Sequence, residues 1–258
     1  MTYVEVERRG GASWARLCRP ERANALGPEM VQELRAWLRA VGGDPGISAL
    51  VITGSGTSFC PGADIKASLA LAHAPEERAA YLASGRSLME DLSRAPVPVV
   101  AAVNGVAFAG GFELVLACDL VVAAESAVLG DLHLASGRIP AWGSSAKLMS
   151  ALGPWRAAQA LLLPQRFTAE QLRGFGVIAD VVRDADLPAA VDRIVDGLAR
   201  VEAGALRAMK ALLAAQKSEL LGRLSAVEWE SFTAYLAGPQ MQEMPWASRP
   251  QKDLDHSV

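Results

Sequence analysis

The chain has 258 residues, enough for one large domain or one domain with a small C-terminal appendage. It is 51% hydrophobic and 21% charged, with a net charge of −3. That balance gives no basic footprint for nucleic acid, although a phosphate-bearing small molecule would need only a few local Lys and Arg residues. The most apolar stretch, VPVVAAVNGVAFAGGFELVLACDLVVAA, is interrupted by Asn104, Glu113 and Asp119 and does not read as a membrane span. The opening MTYVEVERRG reads as a charged strand rather than a signal peptide. Cys18, Cys60 and Cys118 are odd in number and widely spaced, as expected of reduced thiols in a cytoplasmic protein.

In chain order, YVEVERR and SWARLCR alternate in the strand manner around a Gly10–Gly11 turn. GPEMVQELRAWLRAVGG places Met30, Val31, Leu34, Leu38 and Val41 at helical spacing. ISALVITG is a short apolar strand of the buried kind, followed by the polar, glycine-rich loop SGTSFCPGADIKAS. A helix is predicted over residues 75–94, then a buried strand in PVPVVAAV. DLVVAAESAVLG reads as two short strands around a turn at Glu125 and Ser126. Beyond Ser144 strands nearly stop: SSAKLMSALG, PWRAAQALLL and TAEQLRGFG are short helices punctuated by Gly or Pro. Residues 186–236 are almost continuously helical, and an irregular tail follows. The predicted class is α/β with a helical C-terminal third.

Two loops carry chemical signals, GADIK and NGVAFAGGFE, each following a buried strand. In open α/β sheets ligands gather at the carboxyl ends of strands. A helix starting near Gly110 would present unpaired N–H groups at its first turn, suited to an oxygen that gains negative charge. Glycine there admits the ligand without a Cβ in the way. Glu113 would share a face with Gly110, one turn on, as a general base beside an oxyanion site requires. Taken alone, these residues better describe a close-packed turn whose Glu caps the helix. GSGTSF lacks the third glycine of a dinucleotide fingerprint, no Walker lysine or G-x-S-x-G elbow is present, and His73, His133 and His256 have no zinc-ligand spacing.

Together, RPERANAL (residues 19–26), LVITGSGTSFCPGADIKA (50–67), PVVAAVNGVAFAGGFELVLACDLVVAAESAVLG (98–130) and GRIP (137–140) resemble the crotonase, or enoyl-CoA hydratase/isomerase, family. The resemblance keeps its order and spacing from about residue 19 to about residue 182, and the C-terminal third shares only its helical character. It implies a spiral of β-β-α turns over residues 1–195, and a helical region over 196–258 that assembles trimers, often as hexameric dimers of trimers. It implies an acyl-CoA substrate whose CoA enters with it, so that no separate cofactor or metal is needed. By position, the amides of Ala63 and Gly110 would hold the thioester oxygen. Ala63, Asp64, Ile65 and Lys66 would lie along the CoA, with Lys66 near its phosphates. Losing one such donor costs ~2.7–4 kcal/mol of transition-state stabilisation.

The resemblance also locates departures. Hydratases of the family use two glutamates; Glu113 falls on the first, but the second position, within GDLH, is His133. The glycine triplet before Glu113 is altered to Ala109, Gly110 and Gly111, which reads as a mild change because the donor stays glycine. Arg138 and Trp142 stand where smaller neutral residues are usual and would narrow the acyl pocket. An imidazole can accept or donate a proton near neutral pH, so His133 could replace the glutamate, or it could simply fill the pocket wall. Asp131, two residues earlier, would share its face in an extended segment and orient the ring. The leading expectation is hydration of a 2-enoyl-CoA. Alternatives are an acyl-CoA or β-dicarbonyl hydrolase using Glu113 and His133, and a non-catalytic acyl-CoA-binding scaffold. An isomerase is less natural, because the isomerase base usually occupies the His133 position. Nucleic acid and membrane partners are not expected.

Overall fold

The computed structural model describes residues 2–41, 43–71 and 74–238; His73, His256 and the tail around MPWASRPQK lie outside them. Strands β1 (Val4–Arg9) and β2 (Ala12–Leu17) pair antiparallel, with Gly10 at φ 57° in the turn. Helix α1 (Pro28–Val41) buries Met30, Val31, Leu34 and Leu38 as their spacing predicts, and Trp37 as well; Val41 is only half-buried. Each fully buried large side chain contributes about 1.5–3 kcal/mol, so this face fixes the helix on the sheet.

The chain then repeats one unit. β3 (Ala49–Gly54) leads into β4 (Ser58–Cys60), α2 (Ile65–Ala70) and α3 (Pro75–Ser93). β5 (Val99–Val103) leads into β6 (Val106–Phe108) and α4 (Gly110–Ala117); β7 (Leu120–Ala124) leads into β8 (Val128–Gly130). The first strand of each unit enters a six-stranded sheet ordered β1-β2-β3-β5-β7-β10, and the second enters a four-stranded sheet ordered β4-β6-β8-β9. This is the β-β-α spiral. Strands β3 and β5 are buried along their whole length, which explains their unbroken apolar runs. The strands predicted around Glu125 and Ser126 are both present but part company, one into each sheet.

Helix α5 (Ser144–Leu162) is broken at Gly153, where φ 71° and ψ 169° precede Pro154, as the Gly-Pro punctuation predicts. Short β9 (Phe167–Thr168), α6 (Ala169–Gly174) and β10 (Asp180–Val182) follow. The chain ends in α7 (Leu187–Ala199), which packs on the large sheet, and the 35-residue α8 (Ala203–Ala237), which packs on α5. Among the described residues no helix is long and apolar enough to cross a membrane.

Candidate active site

The first loop is braced by the RPERANAL segment. Asn24, fully buried at φ 66°, accepts from Arg19 N–H and donates to the carbonyls of Ser55 and Ser58. Arg19 pairs with Asp64 at 2.9 Å, while Asp64 Oδ1 also accepts from the amides of Lys66 and Ala67. Leu26 N–H donates to Gly62 O and Asp64 N–H donates to Leu26 O, both at 2.9 Å. That bridge uses the peptide groups on either side of Ala63, whose own N–H faces away from it. Lys66 is exposed and Ile65 half-buried.

The second loop meets the first closely. A Cβ on Gly62 would come within 3.0 Å of Gly110 N, and one on Gly110 within 3.2 Å of Ala63 N. One on Gly111 would strike Cys60 O at 2.0 Å. These three glycines let the two amides approach one another. Among the described residues neither Ala63 N–H nor Gly110 N–H has a protein acceptor. Ala109, which caps α4, sits at φ 46° and ψ −120°. The triplet's loss of a glycine is therefore less mild than the sequence implies, since this backbone region strains an L-residue.

Glu113, on the first turns of α4, is 1% exposed. Its Oε1 accepts from Trp142 N–H at 2.7 Å and Ser144 N–H at 3.2 Å, and its Oε2 lies 3.6 Å from His133 Nε2. His133 Nδ1 is 3.1 Å from Asp131 Oδ1, off the line of a well-aligned hydrogen bond. Asp131 Oδ2 accepts a short bond from the Ser144 hydroxyl. Glu113, His133, Asp131 and Ser144 thus close a circuit that is buried except at the half-buried His133. The segment holding Asp131 and His133 is not extended as the sequence predicts. Leu132 takes φ 39° and His133 is helical, opening a 3-10 turn over Leu134–Ser136, and this turn still brings the two side chains together.

Burial pushes the Glu113 carboxyl up to about 7, against the pull of His133. Burial alone would lower His133, but Asp131 and then Glu113 outweigh it, and the imidazole is raised above its ordinary value. Asp131 is correspondingly lowered: burial opposes its charge, and His133 more than compensates. The cluster therefore holds a carboxyl poised near neutrality beside an imidazole that favours its charged form.

Trp142 adjoins this cluster through its N–H bond to Glu113. Its indole is wedged so that a Cβ on Gly85 would meet it at 2.2 Å and one on Gly110 at 2.7 Å. Its Nε1 donates to Leu82 O at 2.9 Å, and Tyr81 packs against it edge-on. Arg138 N–H donates to His133 O at 3.0 Å. Burial, and then the nearby Arg78, hold the Arg138 guanidinium below its ordinary value.

The sequence model of the enoyl-CoA hydratase/isomerase family matches residues 7–247. The chain belongs to that family. A probable enoyl-CoA hydratase of Mycobacterium tuberculosis is 32% identical over 212 residues, 81% of each chain. A crotonyl-CoA hydratase of Syntrophomonas wolfei is 31% identical over 226 residues, 87% of this chain and 86% of that one. The crystal structure of an enoyl-CoA hydratase from Polaromonas sp. JS666 superposes with a TM-score of 0.80 at 31% identity, covering 93% of this chain and 94% of that one.

Within this member of the enoyl-CoA hydratase/isomerase family, three residues of the cluster escape sequence reasoning. Ser144 stands first in a predicted helix, so its free amide could have been inferred, but not its bond to Asp131. Glu228 of α8 is buried and accepts from Gly143 N–H at 2.6 Å and Ser145 N–H at 2.8 Å. Lys147 Nζ is buried, without a hydrogen-bond partner among the described residues, within the electrostatic reach of both glutamates. Neither residue carries a local motif.

Proposed function

We propose that the protein is an acyl-CoA-processing enzyme that adds water across the double bond of a short 2-enoyl-CoA. The observation that carries this reading is the Glu113–His133–Asp131–Ser144 circuit beside the converging amides of Ala63 and Gly110. The two amides would hold the thioester oxygen and favour the enolate. Ionised Glu113 would take a proton from water as its oxygen bonds to the β-carbon, and protonated His133 would give its proton to the α-carbon. Proton return from Glu113 to His133, relayed by a water bridging the 3.6 Å gap, would restore both groups.

Ala63, Asp64, Ile65 and Lys66 would line the CoA, with Asp64 shaping that segment through its bonds to Arg19, Leu26 and the amides of Lys66 and Ala67. Trp142 and Arg138 would bound the acyl group, and the wedged indole favours a short chain. Assembly as a trimer or hexamer is proposed for region 196–258. Met209, Leu212, Leu213, Leu220, Leu224 and Val227 form an exposed apolar stripe on α8 that a second copy would cover. The reduced thiols Cys18, Cys60 and Cys118 fit a cytoplasmic setting.

A second reading, hydrolysis of a thioester or β-dicarbonyl, draws on the Asp131-held imidazole, which could itself activate water. Mass spectrometry after incubation with crotonyl-CoA and a panel of acyl-CoAs separates the two. Gain of one water with CoA attached, lost in Glu113→Gln and His133→Ala, supports hydration; free CoA with a released acid supports hydrolysis. Binding without turnover across the panel would turn the reading to a scaffold.

A further inference from the structure

The start of α5 offers a run of backbone donors before its first helical bond, from Lys147 N–H to Gly143 O. Two buried carboxylates from different elements divide them. Glu113 Oε1, from α4, takes the amides of Trp142 and Ser144. Glu228, from α8, takes Gly143 with Oε1, and Ser145 and Ala146 with Oε2, together with the Ser145 hydroxyl. The donors alternate between the two acids along residues 142–145. Gly143, at φ 111°, is the residue whose conformation permits this alternation.

The way α8 meets the body points the same way. Of its 35 residues only Lys210, Glu228 and Phe232 are buried. Lys210 binds Asp119 and Ser93 O. Two of the three anchors are therefore charged groups aimed at specific polar partners rather than members of an apolar stripe. An unpaired buried charge is strongly unfavourable, so such anchors specify position.

We infer that Glu228 is a positioning residue for Glu113, and that α8 thereby forms part of the active site. By saturating the amides of Gly143, Ser145 and Ala146, it keeps those of Trp142 and Ser144 aimed at Glu113 Oε1 and leaves Oε2 facing His133. Without Glu228, Glu113 becomes the one carboxylate that accepts from the amides at the positive end of α5 and is drawn onto the vacated ones, away from His133. Electrostatics add a second handle. Glu113 is faced by His133 and Asp131 from the loop after β8, by Lys147 from α5 and by Glu228 from α8. The Glu228 charge holds the Glu113 carboxyl up, while Lys147, itself pushed down to about 8 by burial, is drawn to both acids.

The inference rests on Glu113 being the acid–base group proposed above, and its test has one arm that needs no turnover. Glu228→Gln and Glu228→Ala are compared with wild type by steady-state kinetics on crotonyl-CoA, by thermal melting and by 13C NMR titration of the Glu113 carboxyl, assigned with Glu113→Gln. The expected result is a fall in kcat of about tenfold or more in Glu228→Ala with KM within about twofold, since Glu228 does not touch substrate. The loss in Glu228→Gln, which keeps one acceptor, is smaller. The Glu113 titration midpoint moves to lower pH in both. Lower melting temperatures with unchanged kcat and an unmoved midpoint would overturn the inference and leave Glu228 as a helix anchor. If Glu228→Ala does not fold, Glu228→Gln decides through the midpoint. If wild type fails to turn over, the hydratase reading fails while the titration still tests the coupling.

Discussion

His133 Nε2 stands 3.6 Å from Glu113 Oε2, beyond hydrogen-bonding distance, so one water seated beside the pair can reach both. The proposed hydration needs Glu113 ionised and His133 protonated at once. Glu113 is poised at about 7, and Asp131 favours the protonated imidazole of His133. Hydration of crotonyl-CoA is expected to rise with pH through about 7 as Glu113 loses its proton, then fall as His133 loses its own. Asp131→Asn removes the charge that raises His133, so the alkaline limb should move to lower pH. A pH–rate profile with an unmoved alkaline limb in that variant would remove Asp131 from the mechanism.

Stability should carry the opposite mark of the same burial. Folded Glu113 keeps its proton up to about 7, whereas an unfolded glutamate releases it near 4.5. Between those values the native state binds more protons than the unfolded state, so this group's contribution falls as pH rises. The loss is on the order of 3 kcal/mol and levels off at a pH well above 7. Glu113→Gln cannot ionise, and its carbonyl can still accept from Trp142 and Ser144. Urea unfolding should find it more stable than wild type at pH 8 and about equal at pH 4.5. Equal stability at both values would mean that Glu113 ionises in the fold without penalty.

Most of the spiral was legible because its signals are local. The apolar runs of β3 and β5, the spacing of Met30, Val31, Leu34 and Leu38, and the Gly153–Pro154 break each report their own neighbourhood. The three-residue strands β4, β6 and β8 contribute one or two inward side chains each, and of these only β8 stood out in the sequence. At the site, the position of Glu113 and the spacing of Asp131 and His133 pointed to their meeting, although the turn that achieves it depends on the positive φ of Leu132. Glu228 was not legible. Its partners lie more than eighty residues away, and EWESF on a long helix looks like a solvated face.

If Trp142, wedged between Gly85 and Gly110, bounds the acyl group as proposed, one side chain sets acyl length. Trp142→Ala removes an indole held by Leu82 O and two glycines, opening space directly over the Gly110 amide. Activity should shift from four-carbon toward longer 2-enoyl-CoAs, with kcat/KM for a longer chain rising relative to crotonyl-CoA by tenfold or more, at a cost of about 3–5 kcal/mol in stability. Gly85→Ala tests the same wedge from the other side, since its methyl must displace the indole. An unchanged chain-length profile in Trp142→Ala would remove Trp142 from the acyl pocket.

Ala109 offers the reverse experiment, a change that should stabilise. At φ 46° and ψ −120° an alanine is held where glycine is favoured, at a strain of about 1–3 kcal/mol. Glycine would relieve it, less about 0.5–1 kcal/mol for the greater freedom of its unfolded chain. Ala109→Gly should therefore gain about 1 kcal/mol, raising the melting temperature by about 2–4 °C in a chain of this size. The Gly110 amide and the Glu113 N–H bond to Ala109 O do not depend on the lost methyl, so kcat should hold within a few-fold. A fall in kcat of tenfold or more with the melting temperature raised would mean that the methyl, packed near Gly62, tightens the approach of the two oxyanion amides. A lower melting temperature would mean that the backbone is set there by contacts of the methyl itself.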